Sequence, residues 1–266
     1  MSRPLLLRLL PGKLRLSAFY RLYWGKHNQY QNLYQSASLR YAPNVSMELV
    51  PGDHISDIIA FTGEYELPLT KRIASLARQG GILVDVGANL GYFSLIWASL
   101  NRENKSIAFE ASPRNIPLLK RNIKRNGLES QIQVYPVAAG KEAGRLSFNL
   151  GPLDQTGWGG FGDADLGETV DVDVVRIDSV ILSLKPISLL KVDIEGADAW
   201  ALMGSERLLK AKAVEEIWFE QNKPRMQALG IPLDAAQEFL ASVGYSSAPN
   251  GSDSGDLVEW TAIPRP

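Results

Sequence analysis

Five carboxylates stand at or just beyond the ends of short apolar segments, and they are the first sign of a functional site. They are Asp85, Glu110, Asp193, Glu195 and Glu220. A buried carboxylate is costly unless it is paired or used. If the apolar segments are parallel strands, their carboxyl ends meet at one sheet edge, where ligands bind in open α/β folds. There the acids could hold a cofactor, bind a cation or act as a base, although Glu195 or Asp198 could have a capping role at the start of the helix that follows.

A glycine-bearing loop follows the first of these segments and favours a cofactor site. Gly87 and Gly91 bracket the turn between a predicted strand, 82–86, and a predicted helix. Such a loop lets a ligand approach bare backbone and the unpaired N–H groups of the helix N-terminus. The dinucleotide fingerprint is incomplete because Asn89 replaces its second glycine. Asp85 would repel a pyrophosphate but would suit the positive charges of S-adenosylmethionine (SAM). An ordinary turn without a ligand is the alternative.

The position of Glu110 adds to the cofactor hypothesis. Glu110 lies 19 residues beyond Gly91, at the end of the second predicted strand. An acid at this place can accept hydrogen bonds from both hydroxyls of a ribose, whereas the simpler interpretation is a surface acid at a strand end. A third predicted strand, 132–137, leads into small residues at 138–140, which leave room for a flat ring such as adenine.

Strand and helix signals alternate from residue 82 onward, which predicts a doubly wound, mostly parallel α/β sheet with right-handed crossovers. Pro113 is predicted to start a helix, with Ser112 as its N-cap. A long glycine-rich loop at 151–167 is either a mobile connection or a substrate lid, and its two aromatic residues favour the lid slightly. The remaining predicted elements are strands at 145–150, 169–177, 215–222, 245–248 and 257–263 and a helix over 199–209.

The composition excludes several functional classes. The net charge of −1 predicts no nucleic-acid partner. The absence of cysteine excludes thiolate catalysis and cysteine zinc sites and fits a reducing, cytoplasmic setting. With only His27 and His54, a histidine metal cluster is not expected. No apolar run approaches the ~20 residues of a transmembrane helix, and the N-terminal leucine run makes a poor signal peptide because Arg8 interrupts it.

The first 47 residues contain bases but no carboxylate. The bases are Arg3, Arg8, Lys13, Arg15, Arg21, Lys26 and Arg40. One interpretation is a helical lid packed over the domain, which the interleaved aromatic residues favour because they suit burial. The other is a basic amphipathic arm that lies on an anionic membrane surface or on a partner protein. We assign residues 1–62 to this N-terminal extension and 63–266 to the main domain. An oligomer is compatible with either interpretation of the extension.

Three segments stand in an order and spacing typical of one protein family. They are VDVGANLG at 84–91, FEASPRN at 109–115 and LKVDIEGAD at 190–198. They resemble the motifs of FkbM-type SAM-dependent methyltransferases, and the resemblance covers roughly residues 64–222. It implies a class I methyltransferase fold, a seven-stranded Rossmann-like sheet whose last strand is antiparallel. It also implies SAM as methyl donor and O-methylation, often of a sugar or another small-molecule hydroxyl.

The resemblance also implies a role for individual residues. Those expected to bind SAM are Tyr65, Glu66, Asp85, Gly87, Ala88, Asn89, Gly91, Tyr92, Glu110, Ala111, Asn115, Val137, Ala138 and Asp193. The glycine loop would hold the methionine part, Glu110 the ribose hydroxyls, and Val137 and Ala138 would flank the adenine. Tyr65 and Glu66 resemble a segment that closes over the cofactor.

Methyl transfer to a hydroxyl requires alignment of the acceptor oxygen and removal of its proton. Alignment can supply a large part of the rate, and a sugar hydroxyl is so weak an acid that a base or metal helps. The candidate bases are Asp193 and Glu195, followed by Glu220. Some sugar methyltransferases hold Mg²⁺ with paired acids after the fifth strand, but Glu220-Gln221-Asn222 stands there, so Mg²⁺ on Asp193 and Glu220 is not expected. The rival hypotheses are a nicotinamide-dependent oxidoreductase and a non-catalytic partner subunit of the same fold.

Overall fold

The chain begins with short helices and one small strand pair in the computed structural model, which describes residues 3–162, 168–183 and 185–266. These elements are Leu5–Leu9 (α1), Gly12–Leu22 (α2), the 3-10 turn His27–Gln29, Asn32–Gln35 (α3), Ala37–Ser38 (β1), Ser46–Met47 (β2) and His54–Thr62 (α4). Helix α4 is fixed at both ends. The Asp53 side chain accepts the N–H of Ser56 at 2.8 Å, and Gly63 ends the helix with a φ of 80°.

The first half of the main sheet follows in βαβ order. Its elements are Leu67–Ala77 (α5), Ile82–Val86 (β3), Tyr92–Leu100 (α6), Lys105–Phe109 (β4), Ile116–Arg125 (α7) and Ile132–Tyr135 (β5). The helix predicted from Pro113 begins later, because the N–H groups of Asn115 and Ile116 both donate to the Ser112 carbonyl and form a turn. The strand predicted to reach residue 137 ends at Tyr135, since Pro136 has no N–H to continue the ladder.

A second, smaller sheet follows β5. Its strands are Ala138–Ala139 (β6), Gly144–Asn149 (β7), Gly160–Phe161 (β8) and Thr169–Val175 (β9), in the order β6-β9-β7-β8, and Ile177–Val180 (α8) follows. The strands predicted at 145–150 and 169–177 therefore pair with each other, antiparallel, outside the main sheet. Part of the predicted lid loop, 163–167, lies outside the described residues.

The second half of the main sheet completes the chain. Its elements are Leu189–Val192 (β10), Asp198–Met203 (α9), Glu206–Lys210 (α10), Ile217–Asn222 (β11), Lys223–Ala228 (α11), Ala235–Ser242 (α12), Tyr245–Pro249 (β12) and Leu257–Pro264 (β13). The helix predicted over 199–209 is two helices. The break lies at Gly204, whose carbonyl accepts the N–H of Asp178 at 3.0 Å. A side chain at this position would collide with the carbonyl of Gly140.

The main sheet has seven strands in the order β5-β4-β3-β10-β11-β13-β12. Strand β13 is antiparallel to both of its neighbours, and the other neighbouring strands run parallel. The register places Lys191 of β10 beside Asp85 of β3. This order brings the carboxyl ends of β3, β4, β10 and β11 to one edge, which confirms the predicted mostly parallel α/β sheet with an antiparallel strand.

The N-terminal helices pack against this main domain. Leu7, Phe19 and Tyr34 are buried in the same hydrophobic cluster as Ile73 and Trp97. Helices α1, α2 and α3 all contact α4. No helix in the part of the chain that the structure describes is long and apolar enough to cross a membrane.

Asn122 on α7 joins the end of the N-terminal region to the main domain. Its Oδ1 accepts the N–H of Glu48 at 2.7 Å. Its Nδ2 donates to the carbonyls of Glu48 at 3.0 Å and Leu90 at 3.1 Å. The side chain is fully buried, so water cannot replace these partners.

We expect Asn122→Ala to lower the free energy of unfolding by about 2–4 kcal/mol, because it leaves buried backbone groups without partners. Urea denaturation followed by circular dichroism measures the change. Lys120→Ala, an exposed position on the same helix, should stay within about 0.5 kcal/mol of the unmodified protein. Equal stability of the two variants would contradict the importance of this connection.

Candidate active site

A cavity of about 620 Å³ opens at the carboxyl ends of β3, β4, β10 and β11. Small-molecule sites commonly measure about 300–1,000 Å³. The predicted site residues that line it are Tyr65, Glu66, Gly87, Ala88, Asn89, Tyr92, Glu110, Ala111, Asn115, Val137, Ala138, Asp193, Glu195 and Glu220. Two other predicted residues, Asp85 and Gly91, lie behind the cavity wall. The structure thus brings together carboxylates and a glycine loop that are far apart in sequence.

The glycine loop is held against the ends of two neighbouring strands. Gly87 has a φ of 80°, and a side chain there would collide with the backbone carbonyl of Asp193. The N–H groups of Gly87 and Ala88 both donate to the Phe109 carbonyl at 3.0 Å. Asn89 also has a positive φ, 49°. Only glycine fits position 87, because this left-handed backbone lies so close to the next strand.

Glu110 is fixed at the end of β4 by the residues around it. Its carboxylate accepts the N–H of Asn89 at 2.7 Å and the N–H of Ser112 at 2.9 Å. The amide of Asn115 donates to it at 3.4 Å. Burial raises the pKa of Glu110, although these three donors oppose the rise. A carboxylate has about four acceptor sites, so acceptor capacity remains for hydroxyl donors in the cavity.

Lys191 is a buried cation at the centre of the site, and no role was predicted for it there although it lies within the 190–198 motif. Its Nζ donates to the carbonyl of Gly87 at 2.8 Å and to that of Val86 at 3.3 Å. The same nitrogen lies 3.6 Å from Asp85 Oδ1 and 3.3 Å from Asp193 Oδ2. It also faces the ring of Phe93. A lysine inside an apolar strand was the signal that could have revealed it.

The charges around Lys191 decide its ionisation. Burial lowers the pKa of Lys191, but Asp193, Asp85 and Glu66 outweigh this effect and raise it above its usual value. The ammonium group therefore stays charged. Asp85, predicted to contact the methionine part of SAM, is fully buried and binds Lys191 and the hydroxyl of Ser94 instead. Its influence on a ligand would pass through Lys191 and the loop carbonyls.

The acids at the ends of β10 and β11 form a crowded group on the cavity wall. Burial and the charge of Asp193 raise the pKa of Glu195 to about 7, while Arg225 and Asn222 oppose the rise. Burial and the neighbouring acids, Asp193 first, raise the pKa of Glu220 to about 10. At neutral pH, Glu220 therefore holds its proton and Glu195 is close to half ionised.

Glu195 and Asp198 were also considered as helix caps. Glu195 has a φ of 55°, and its carboxylate accepts the amide of Asn222 at 2.9 Å. Asp198 is the first residue of α9, and its Oδ1 accepts the N–H of Glu220 at 3.3 Å. Burial and Asp193 raise the pKa of Asp198 above its usual value. Both acids thus connect β10 to β11, with Asp198 deeper than the cavity wall.

Tyr65 and Glu66 form another part of the wall. The N–H of Tyr65 donates to the Tyr92 hydroxyl at 3.0 Å. Glu66 adopts a φ of 41° immediately before α5. Burial, followed by the charges of Asp193 and Glu259, raises the pKa of Glu66 to about 8. This segment therefore presents another weakly acidic carboxyl to the cavity.

Residues 155–161 of the glycine-rich loop line the cavity, and the N-terminal region contacts this loop. The N–H of Thr156 donates to Asp53 Oδ1 at 2.7 Å. The amides of Asn115 and Asn89 donate to the carbonyl and the hydroxyl of Thr156, at 3.0 Å and 3.3 Å. Arg225 donates to the Trp158 carbonyl at 3.2 Å. In the sequence, Asp53 stands directly before an apolar helix, which is typical of an N-cap residue. No sequence feature indicated its contact with the loop.

Across residues 3–162, 168–183 and 185–266, no group of three or more His, Asp or Glu side chains is arranged to hold a metal ion. The acids of the wall share their space with Lys191 and Arg225. A seven-stranded sheet with one antiparallel strand, a glycine loop after its central strand and an acid at the end of the next strand together define a class I methyltransferase fold.

The comparisons with known proteins identify the family. The profile of the methyltransferase FkbM domain matches residues 85–247. Because this match spans more than half of the chain, the protein belongs to the FkbM methyltransferase family, which confirms the resemblance. Methyltransferase sdnD of Sordaria araneosa is 28% identical over 55% of this chain and 70% of its own. The 31-O-demethyl-FK506 methyltransferase FkbM of Streptomyces tacrolimicus is 26% identical over 48% of this chain and 61% of its own.

A solved structure supports the same fold. The methyltransferase FkbM from Methylobacillus flagellatus KT aligns with a TM-score of 0.50 and 15% identity, covering 93% of this chain and 60% of that one. The chain thus spans about 60% of the length of this structure and of the Streptomyces relative. Membership of a methyltransferase family argues against the nicotinamide-dependent oxidoreductase.

We expect Lys191→Met to destabilise the protein by about 3–5 kcal/mol, because it leaves Asp85 buried without its cation. The double variant Asp85→Asn/Lys191→Met should recover at least about 1 kcal/mol, since it removes the uncompensated charge. Urea unfolding measures both values. Lys210→Met, which breaks only an exposed pair with Glu206, should cost less than about 1 kcal/mol. Lack of recovery in the double variant would contradict the buried pair.

Proposed function

We propose that the protein is a SAM-dependent O-methyltransferase that methylates a hydroxyl of a small molecule with sugar-like character. Membership of the FkbM family supports methyl transfer as the reaction. The observation that carries the cofactor assignment is the fixed carboxylate of Glu110, held by the N–H groups of Asn89 and Ser112 beside the glycine loop. An acid in this position can accept both ribose hydroxyls of a nucleoside.

Three further features of the cavity fit SAM. The Oδ1 atom of Asn89 is buried and has no hydrogen-bond partner among the described residues, so a ligand donor would satisfy it. Ala138 and Val137 leave space at the far wall for a flat ring. Glu66 and Asp193 would complement the positive charges of the ligand.

SAM, when bound, supplies a methyl group that is already activated by its sulfonium. The residues of this chain would then orient the acceptor and remove its proton. The loop of residues 155–161 lines the cavity, and its closure over bound ligands would exclude water during the reaction. Alignment of the acceptor oxygen would supply a large part of the rate.

A hydroxyl oxygen is the acceptor that the acidic wall supports best. Glu195 is the favoured base, because a pKa of about 7 makes a carboxylate available near neutral pH and matches the needs of proton transfer. Glu220, with a pKa of about 10, would instead donate a hydrogen bond. The Streptomyces relative is named for an O-demethyl substrate, which agrees with an oxygen acceptor. Asp193 remains the second candidate base beside Lys191.

Calorimetric titration with SAM tests the cofactor assignment. We expect saturable binding by the unmodified protein and at least about tenfold weaker binding by Glu110→Gln, since hydrogen bonds to a charged acceptor contribute about 1.5–3 kcal/mol. Glu129→Gln, at an exposed acid, should bind SAM normally. Absence of binding would reject the proposed function, and unchanged binding by Glu110→Gln would reject the ribose role.

The pH dependence of methyl transfer tests the base. With an acceptor found by screening glycosides and other alcohols for release of S-adenosylhomocysteine, the rate should rise with pH through about 7, as Glu195 loses its proton. Glu195→Gln should lower the rate by about 10²–10⁴-fold and abolish this rise. Glu220→Gln should retain the rise. If the rise persisted in Glu195→Gln, the base would lie elsewhere, and Asp193→Asn would be the next variant.

A further inference from the structure

Helices α1 and α2 bury Leu7 and Phe19 in the protein core and leave several other apolar side chains exposed. We call the exposed surface of these two helices, together with the segment that follows to residue 26, the N-terminal face. Its exposed apolar side chains are Leu5, Leu6, Leu9, Leu14, Leu16, Tyr20, Leu22 and Trp24. Leu9 is 75% exposed and Leu5 is 66% exposed, so these side chains lie in water in the isolated chain. An apolar patch of this kind marks an interaction surface.

The N-terminal face also carries positive charge without compensation. Its exposed bases are Arg8, Lys13, Arg21 and Lys26. Residues 3–47 contain no carboxylate, although the whole chain has a net charge of −1. The nearby acid Glu64 is buried and already pairs with Arg15 and Arg40. The face therefore offers its partner apolar side chains and four bases that form no ion pair with any residue the structure describes.

Aromatic residues lie at the end of the N-terminal face that is next to the cavity. The Tyr20 hydroxyl lies 3.1 Å from His54 Nε2, and the Trp24 ring lies 5.2 Å from the His54 ring. His54 also lines the cavity. Tyrosine and tryptophan are enriched where a protein meets the headgroup region of a membrane. The surface thus has leucines, bases and interfacial aromatics in one segment.

We propose that the N-terminal face binds the surface of an anionic lipid bilayer. Short helices with leucine and tryptophan beside lysine and arginine lie in the interface plane of such membranes, where apolar burial and attraction to anionic lipids add together. A second copy of the chain is a poorer occupant. A two-fold contact through this face would set the same bases opposite one another, with no carboxylate on the face to pair with them.

Sedimentation of the full chain with lipid vesicles tests this proposal. Vesicles of phosphatidylcholine with about one third phosphatidylserine should bind the protein at least about tenfold better than vesicles of phosphatidylcholine alone. Added salt should weaken the binding, because exposed charges are screened beyond about 10 Å at 0.1 M. Equal binding to both vesicle types, or none to either, would overturn the proposal.

A matched pair of variants distinguishes vesicle binding through the N-terminal face from a general effect of the charge of the protein. Lys13→Glu/Arg21→Glu should weaken binding to anionic vesicles at least about tenfold. Lys120→Glu/Lys124→Glu makes the same charge change on the exposed side of α7 and should leave binding within about twofold. Equal losses in both variants would overturn the assignment of the N-terminal face. Thermal melting of each variant verifies that it is folded.

A second pair tests the apolar part. Leu9→Ser/Leu14→Ser should weaken vesicle binding at least about fivefold, whereas Leu182→Ser, at a leucine that is 77% exposed elsewhere, should not. Analytical ultracentrifugation of the free protein tests the alternative that the N-terminal face joins two copies of the chain. If the leucine variant changed only the mass of the free protein and not its vesicle binding, the face would join copies of the chain, and the lipid proposal would be wrong.

Discussion

The contact of one buried ammonium group with two carboxylates holds the cavity edge of the sheet together. Lys191 reaches from β10 to Asp85 on β3 and to Asp193 beyond its own strand. It also donates to the carbonyl of Gly87 and so anchors the first residue of the glycine loop. The loop in turn sets the N–H of Asn89 on Glu110. Lys191 therefore links Asp85, Asp193 and the glycine loop of the proposed cofactor site, and the loop extends this link to Glu110.

The remaining acids of the wall are not balanced in the same way. Burial, followed by the charge of Asp193, raises the pKa values of Glu66, Glu195 and Glu220. A cationic ligand would relieve this repulsion and lower those pKa values. By linkage, binding of such a ligand would be accompanied by proton release. The acidic wall thus favours a positively charged ligand in general, and the sulfonium and ammonium of SAM in particular.

Local patterns predicted most of the fold, and long-range contacts account for what they missed. The strand that precedes the glycine loop, the acid at the end of β4 and the acids after β10 were all visible as residue types in sequence. The strand at 132–137 was predicted too long because Pro136 was not weighed against the ladder. Lys191 was missed because its partners lie on another strand, and only the register of β3 with β10 places it beside Asp85. The tie from Asp53 to Thr156 likewise joins residues far apart in the chain.

The family segment and the cavity do not share the same boundary. The FkbM domain match begins at residue 85, yet His54, Ile55 and Ile59 of α4 line the cavity. Apart from Tyr65 and Glu66, the residues proposed to hold SAM lie within the matched segment. Helix α4 therefore shapes the cavity from outside the matched segment, and Asp53 at its N-terminus links it to the glycine-rich loop through Thr156. A change in α4 would thus reach the cavity wall both directly and through that loop.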